Sequence, residues 1–280
     1  MLAALVLFAV ASPARGQTPL QWKFKEGDKF SLEETLTSKM TTTAGGQKYA
    51  VDQTQSRVSS FVVKKVTGGT FEMEQKIESW KIQGASSLPL EEGTKLMEEC
   101  ARDVVFTFQL KPTGEIAMFK GYEQFEKNLA ARDKDEAKKF EAIGGKEVFQ
   151  SMLAFGFDFL PAKSAKSWTK EYVVPMGPLG EYKYALTCTD AGKGEIALKG
   201  TVSFMAPKSD SPAAAFKVLK MELTKNDITG KIVFDSAKGR LVSSEWTAPR
   251  TGTVTIERQG EMVNLSVEGT DSRTVRVLEK

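Results

Sequence analysis

The chain has 280 residues, 41% hydrophobic and 27% charged, with a formal net charge of +3. Its basic and acidic residues are dispersed. This leaves neither the clustered basic face of a nucleic-acid binder nor a polybasic membrane anchor. There is no histidine, which excludes Ser-His-Asp and Cys-His catalytic units and any zinc site built on imidazole, and so disfavours an enzyme.

Residues 1–16 read as a secretion signal. Leu2 to Ala11 is an apolar run of signal-peptide length, too short to span a bilayer. Ser12-Pro13 ends it, and Ala14-Arg15-Gly16 places cleavage before Gln17; the alternative is a buried N-terminal strand. The mature protein is therefore expected to be secreted or periplasmic. No later stretch reaches transmembrane length. Residues 17–280 read as one β-rich domain, with two β-halves (21–120 and 168–278) around a helical segment (121–160).

In the first half, Trp22, Phe24 and Phe30 fall on a loose period of two, with a turn at Gly27-Asp28. Ser31–Thr43 and Tyr49–Val63 read as strands joined by a hairpin at Gly45-Gly46. After Gly68-Gly69, Phe71, Met73, Gln75 and Ile77 alternate with charged residues, as a half-buried antiparallel strand requires. Pro89–Arg102 reads as a short surface helix. Val104–Leu110 and Glu115–Lys120 then form a hairpin around Lys111-Pro112-Thr113-Gly114.

The helical segment starts near Gly121. Tyr122, Phe125 and Leu129 share one face, and Phe140 and Ile143 continue it; the run 132–139 is almost wholly charged and faces out. Gly144-Gly145 breaks this helix. A second one, Lys146–Phe155, turns Val148, Phe149, Met152 and Leu153 inward. Phe155, Phe157 and Phe159 then alternate up to Leu160-Pro161.

In the second half, strands are expected over Trp168–Val174, Glu181–Thr189, Gly194–Met205, Ala213–Asn226 and Thr224–Asp235. Four more follow, over Arg240–Trp246, Thr251–Glu257, Met262–Val267 and Arg273–Leu278. The expected fold is mainly β (α+β): a curved antiparallel sheet or open half-barrel, with the central helical insertion packed on one face.

No motif carries chemistry. The chain has no nucleophile elbow, phosphate loop, dinucleotide fingerprint or Cys-x-x-Cys. Glu91-Glu92 and Glu98-Glu99 read as a solvated helix face, and no metal, cofactor or catalytic residue is assigned. Asn264-Leu265-Ser266 matches a glycosylation acceptor. Cys100 and Cys188 allow either one disulfide across the two halves or two buried thiols. A partly closed sheet leaves a concave apolar face, which Phe125, Phe140, Phe149, Met152, Phe155 and Phe157 either line as a pocket or fill as a dry core.

Three stretches, Trp22-Lys23-Phe24-Lys25-Glu26-Gly27-Asp28-Lys29-Phe30, Pro112-Thr113-Gly114-Glu115-Ile116 and Ser167-Trp168-Thr169, resemble a family of secreted bacterial proteins of unknown function. More loosely, the order of strands and helices resembles the periplasmic lipoprotein-carrier fold, a half-barrel lidded by helices that holds acyl chains. This resemblance implies a lipid-like ligand, although none of the carriers' functional residues maps onto this chain. The expectation is a non-enzymatic secreted or periplasmic protein that binds an apolar or lipid-like ligand. The alternative is a cell-envelope structural or interaction module docking another envelope protein.

Overall fold

The computed structural model describes residues 19–86, 90–142, 145–175, 180–207, 217–258 and 260–278. The signal segment 1–16, Ile143 and residues 213–216 lie outside the described residues. The first half contains β1 (Lys29–Ala44), β2 (Gln47–Thr67), β3 (Thr70–Ser86), α1 (Leu90–Ala101), β4 (Phe106–Leu110) and β5 (Ile116–Lys120). Three helices follow: α2 (Tyr122–Arg132), α3 (Lys134–Ala142) and α4 (Gly145–Phe157). The second half contains β6 (Ser167–Pro175), β7 (Glu181–Gly192), β8 (Glu195–Met205), β9 (Lys217–Lys225), β10 (Asp227–Asp235), β11 (Arg240–Arg258) and β12 (Glu261–Leu278).

All twelve strands form one open antiparallel sheet in the order β5-β4-β3-β2-β1-β12-β11-β10-β8-β7-β6, with β9 paired to β11. The first and last strands join the two halves, in a ladder from Ser31↔Leu278 to Ala44↔Leu265. Both edge strands, β5 and β6, pack against α4. The sheet therefore curls until its two edges meet one helix, which shields them from pairing with another chain. The Ser151 hydroxyl on α4 donates to the Val173 carbonyl of the β6 edge at 3.0 Å.

Burial follows the alternation in the sequence. On β12, Val263, Leu265, Val267, Arg273 and Val275 face the concave side, and their chain neighbours face solvent. The helices cover this concave side at the end near Lys29 and Leu278, called proximal here. The hairpin tips at Gly45-Gly46 and at 258–261 mark the distal end.

Four expectations are corrected. First, the segment from Trp22 to Lys25 is not a strand. It is an irregular plug whose backbone bonds to both halves: Trp22 N donates to the Pro112 carbonyl (2.8 Å) and Lys23 N to the Gly239 carbonyl (3.1 Å). Trp22 and Phe24 alternate because both fill the core, not because they belong to a ladder.

Second, Gly121 to Gly144 is not one helix. It breaks at Asp133, whose carboxylate accepts from the backbone N–H groups of Asp135 and Glu136, both at 2.9 Å. This is an N-cap interaction, which starts a new helix more favourably than it continues an old one. Phe125 of α2 and Phe140 of α3 meet edge-on across the break, with centroids 5.6 Å apart.

Third, α4 runs on to Phe157, so Phe155 and Phe157 are helical. Phe149, Leu153 and Phe157 are buried at a helical spacing of four.

Fourth, the strands expected at Arg240–Trp246 and Thr251–Glu257 are one strand, β11, and those at Met262–Val267 and Arg273–Leu278 are another, β12. Pro249 lies within β11, between the two expected strands. It sits where β11 changes neighbours: β10 ends opposite Thr247 and β9 begins opposite Thr251. Its missing N–H costs no ladder bond there.

The C-terminus of α4 is held by side chains from distant segments. The Trp22 indole donates to the Phe157 carbonyl (3.0 Å), the Tyr172 hydroxyl to the Asp158 carbonyl (2.7 Å) and the Trp168 indole to the Phe159 carbonyl (2.9 Å). Gly114, at φ 95°, lies against the same point, where an added Cβ would stand 2.0 Å from the Phe157 carbonyl oxygen. Replacing Trp22 by Phe keeps a ring but strands a buried carbonyl. We expect a loss of about 1–3 kcal/mol in a denaturant melt, and an unchanged midpoint would show that the bond does not matter.

Candidate functional site

The concave face passes through three zones. At the proximal end it is packed with aromatic rings. Phe149 touches Phe125 (5.1 Å), Phe106 (5.2 Å) and Tyr122 (5.9 Å), and Phe157 touches Trp22 (5.2 Å) and Phe61 (5.5 Å). Of the six predicted lining residues, Phe125, Phe140, Phe149 and Phe157 therefore stand in the continuous core. Met152 and Phe155 stand at its margin, half-buried, where helical cover gives way to open sheet.

The second zone is a band of charge at that margin. Glu34 on β1 lies between Arg57 on β2 and Arg273 on β12, bonding to Arg57 and to the Arg273 Nε (2.5 Å). Further along β12, Asp271 accepts from Arg250 on β11 (2.9 Å) and from the Ser38 hydroxyl (2.7 Å). These five side chains are only 8–19% exposed. Arg57 reaches the Met152 sulfur (3.6 Å), and Arg273 reaches the Phe155 carbonyl (3.4 Å). The two marginal lining residues thus touch the arginines. Burial by itself would raise the Glu34 pKa, but Arg273 and Arg57 outweigh it and hold the carboxyl at about 2.

The third zone is apolar again. Val218, Val254 and Ile256 are buried against Phe204, Met221, Val263, Leu265 and Val267. All of these come from strands, and no helix residue joins them among the described residues.

Among the described residues, cavities outside this distal zone include an open surface hollow of about 510 Å³ at Asp190, Lys193 and Ser236 and two smaller ones. One, of about 30 Å³, lies between Glu34, Arg57, Arg273, Gln75, Met152 and Phe157, and is of a size to hold one water. The other, of about 250 Å³, lies at the proximal end where β11 and β12 part, lined by Trp22, Phe24, Phe30, Leu32, Leu241 and Val277. Arg240 covers it, 3.9 Å from the Phe24 ring and paired with Asp28 at 2.5 Å.

Cys100 on α1 and Cys188 on β7 are free, buried thiols, the second of the two arrangements the sequence allowed. Burial raises both pKa values, that of Cys188 to about 11, so both remain thiols near neutral pH. Among the described residues no group of three or more His, Cys, Asp or Glu side chains is placed to hold a metal ion, and no helix is long and apolar enough to cross a membrane.

Sequence reasoning missed Glu34, Arg57, Arg250, Asp271 and Arg273. The signal was present in the strand parity. Glu34 falls on the same alternation as Leu32 and Leu36, and Arg273 on that of Val275. A charge on the apolar face of a strand needs a partner facing it.

No family model matches the chain, and no curated protein matches it in sequence. Among solved structures, that of lipovitellin, described for its lipid–protein interactions, superposes with a TM-score of 0.51 at 11% identity. The match covers 92% of this chain and 26% of that one, so this chain spans about a quarter of lipovitellin. The likeness is one of fold. The outer membrane protein OprG of Pseudomonas aeruginosa gives a TM-score of 0.22 at 7% identity over 91% of this chain and 98% of its own. DynF of Micromonospora chersina gives 0.20 at 10% identity over 97% and 91%. Scores this low carry no argument.

Glu34 is the testable centre of the band. Its pKa lies below the ordinary 4.5, so its stabilising effect is complete above that value and disappears as pH falls towards about 2. Glu34→Gln strands two buried guanidinium groups and is expected to cost about 3–5 kcal/mol at neutral pH. The gap between wild type and variant should narrow as pH falls from 4.5 to about 2. A gap that stays constant across that window would refute the assignment.

Proposed function

We propose that this protein is a non-enzymatic carrier of an apolar, lipid-like ligand, working in the periplasm or at the cell envelope. The ligand lies along the distal part of the concave face. The observation that carries this reading is the fading of helical cover along the sheet. Among the described residues, the proximal core is shared between helices and strands, the middle of the face is capped by Ala154 and Phe155 of α4, and the distal cluster contains strand residues. Apolar strand residues that no described helix covers favour a lipid-like partner along this stretch of the sheet. Lipovitellin, described for its lipid–protein interactions, shares the fold and lends support by analogy.

A binder rather than an enzyme is supported by the chemistry of the band. General acid–base catalysis needs a group whose pKa lies near the working pH. Glu34 is driven away from neutrality and locked between two arginines.

The test is an organic extract of natively purified protein, analysed by mass spectrometry, together with a titration of a dansyl-labelled fatty acid. We expect a bound lipid in the extract and saturable probe binding. Leu265→Glu should weaken that binding about tenfold or more, corresponding to 1.4 kcal/mol or above. An empty extract with a flat titration would sink the reading.

A second reading, docking of another envelope protein, is favoured by Tyr49 and Met262, which are 46% and 74% exposed near the hairpin tips. A photo-cross-linker at position 262 that captures one defined envelope protein, with no lipid in the extract, would support it instead.

A further inference from the structure

We infer that the ligand is an anionic, single-chain amphiphile, a long-chain carboxylate, whose head group is held at Arg250 and whose tail runs distally over β11 and β12. This rests on the reading of the concave face as a lipid site and specifies the ligand's chemistry.

The charge band carries a surplus. It holds three arginines (Arg57, Arg250, Arg273) and two carboxylates (Glu34, Asp271), all largely buried, which leaves one positive charge over. The neighbouring Lys170–Asp158 pair, at 2.5 Å, is balanced and adds nothing. A buried, uncompensated cation is costly, and a ligand anion would remove that cost.

The surplus arises at Glu34, which two arginines share, while Arg250 is the guanidinium of the band that still has an unbonded donor. It already contacts Asp271 (2.9 Å), the Tyr184 hydroxyl (3.3 Å) and the face of the Tyr182 ring (5.1 Å). Its Nε has no hydrogen-bond partner although the atom is buried, and the same holds for the indole Nε1 of Trp246. Both residues are on β11 and face the concave side, with Ala248 between them. Each orphaned N–H donor calls for an acceptor, and at Arg250 a carboxylate supplies one that complements the guanidinium charge. Gln53, whose side-chain oxygen is also unpartnered, lies in the same band and can turn its amide to donate.

The path for the tail starts at the same place. Gly269 stands opposite Arg250 in the ladder, and Gly252 is the next concave-facing residue along β11; at both, the neighbouring strand packs close, with Met40 beside Gly269 and Leu223 beside Gly252. Beyond them along the same face lie Val254, Val267, Leu265 and Ile256, the apolar side chains the tail would displace or lie against. Arg250 to Ile256 is six residues of strand, about 20 Å, a length that suits an extended alkyl chain.

The experiment compares three probes of identical tail on the full-length mature protein: laurate, dodecanol and dodecyltrimethylammonium. Each is titrated by calorimetry below its micelle concentration. Laurate is expected to bind at least about tenfold more tightly than dodecanol, and the ammonium probe most weakly. Arg250→Met should abolish the preference for laurate while dodecanol still binds. If that variant does not fold, Trp246→Phe keeps the ring, deletes one donor, and should weaken laurate but not dodecanol. Equal affinity for laurate and dodecanol, tight binding of the ammonium probe, or an unchanged preference in a folded Arg250→Met protein would each overturn the head-group assignment and leave the lipid reading standing. No binding of any probe would remove both.

Discussion

The architecture depends on three carbonyl groups. A helix ends with unpaired C=O groups, and when that end is buried they need donors. At the end of α4, the carbonyls of Phe157, Asp158 and Phe159 receive an indole from the N-terminal plug and a hydroxyl and an indole from β6. These donors lie 135, 14 and 9 residues away in sequence. Because α4 also fills the space between edge strands β5 and β6, anchoring its end sets how far the sheet curls. The short motifs around Trp22, Pro112 and Trp168 meet at this point. Trp22 bonds both to Pro112 and to the end of α4, Gly114 lies against the same carbonyl, and Trp168 caps the next turn. These three motifs are thus residues that build the fold.

This anchoring divides the concave face unequally. Rings from β4, β5 and the helices pack so closely that little space remains beneath the helices, and the cavity there is of water size. Cover ends at Phe155. Just beyond it the sheet carries charge, and beyond that apolar side chains with only strands for company. A polar band thus separates the helix-covered core from a second, buried apolar cluster built, among the described residues, from strands. The arginines there would be a poor choice for stability alone, since a buried ion pair rarely outperforms a well-packed apolar one.

The β-rich class, the helical segment between two β-halves, and the hairpins at Gly45-Gly46, Gly68-Gly69 and Pro112–Gly114 were legible in the sequence. Each depends on local spacing and turn chemistry, which neighbouring residues settle among themselves. The assignments that failed involve distant partners. Arg240–Trp246 and Thr251–Glu257 read as two strands, and only the sharing of one edge of β11 by β10 and β9 shows them as one. Trp22 and Phe24 look like a strand because core filling can copy a period of two. Asp133 looks like one more charge in a charged run, and only its carboxylate geometry shows it starting a helix.

The sequence by itself determined which residues are apolar, on what period, and where the chain turns, and from these follow a curled antiparallel sheet and a phenylalanine-rich helical face turned towards it. Only the tertiary structure decided that this face is filled with rings, that Cys100 and Cys188 remain separate thiols, and that Glu34, Arg57, Arg250, Asp271 and Arg273 come together. The reason is physical. Strand alternation says which side of a sheet a residue faces, whereas the neighbour across the ladder depends on register between segments far apart in sequence, 239 residues for Glu34 and Arg273. That register is set by the packing of the whole sheet around α4.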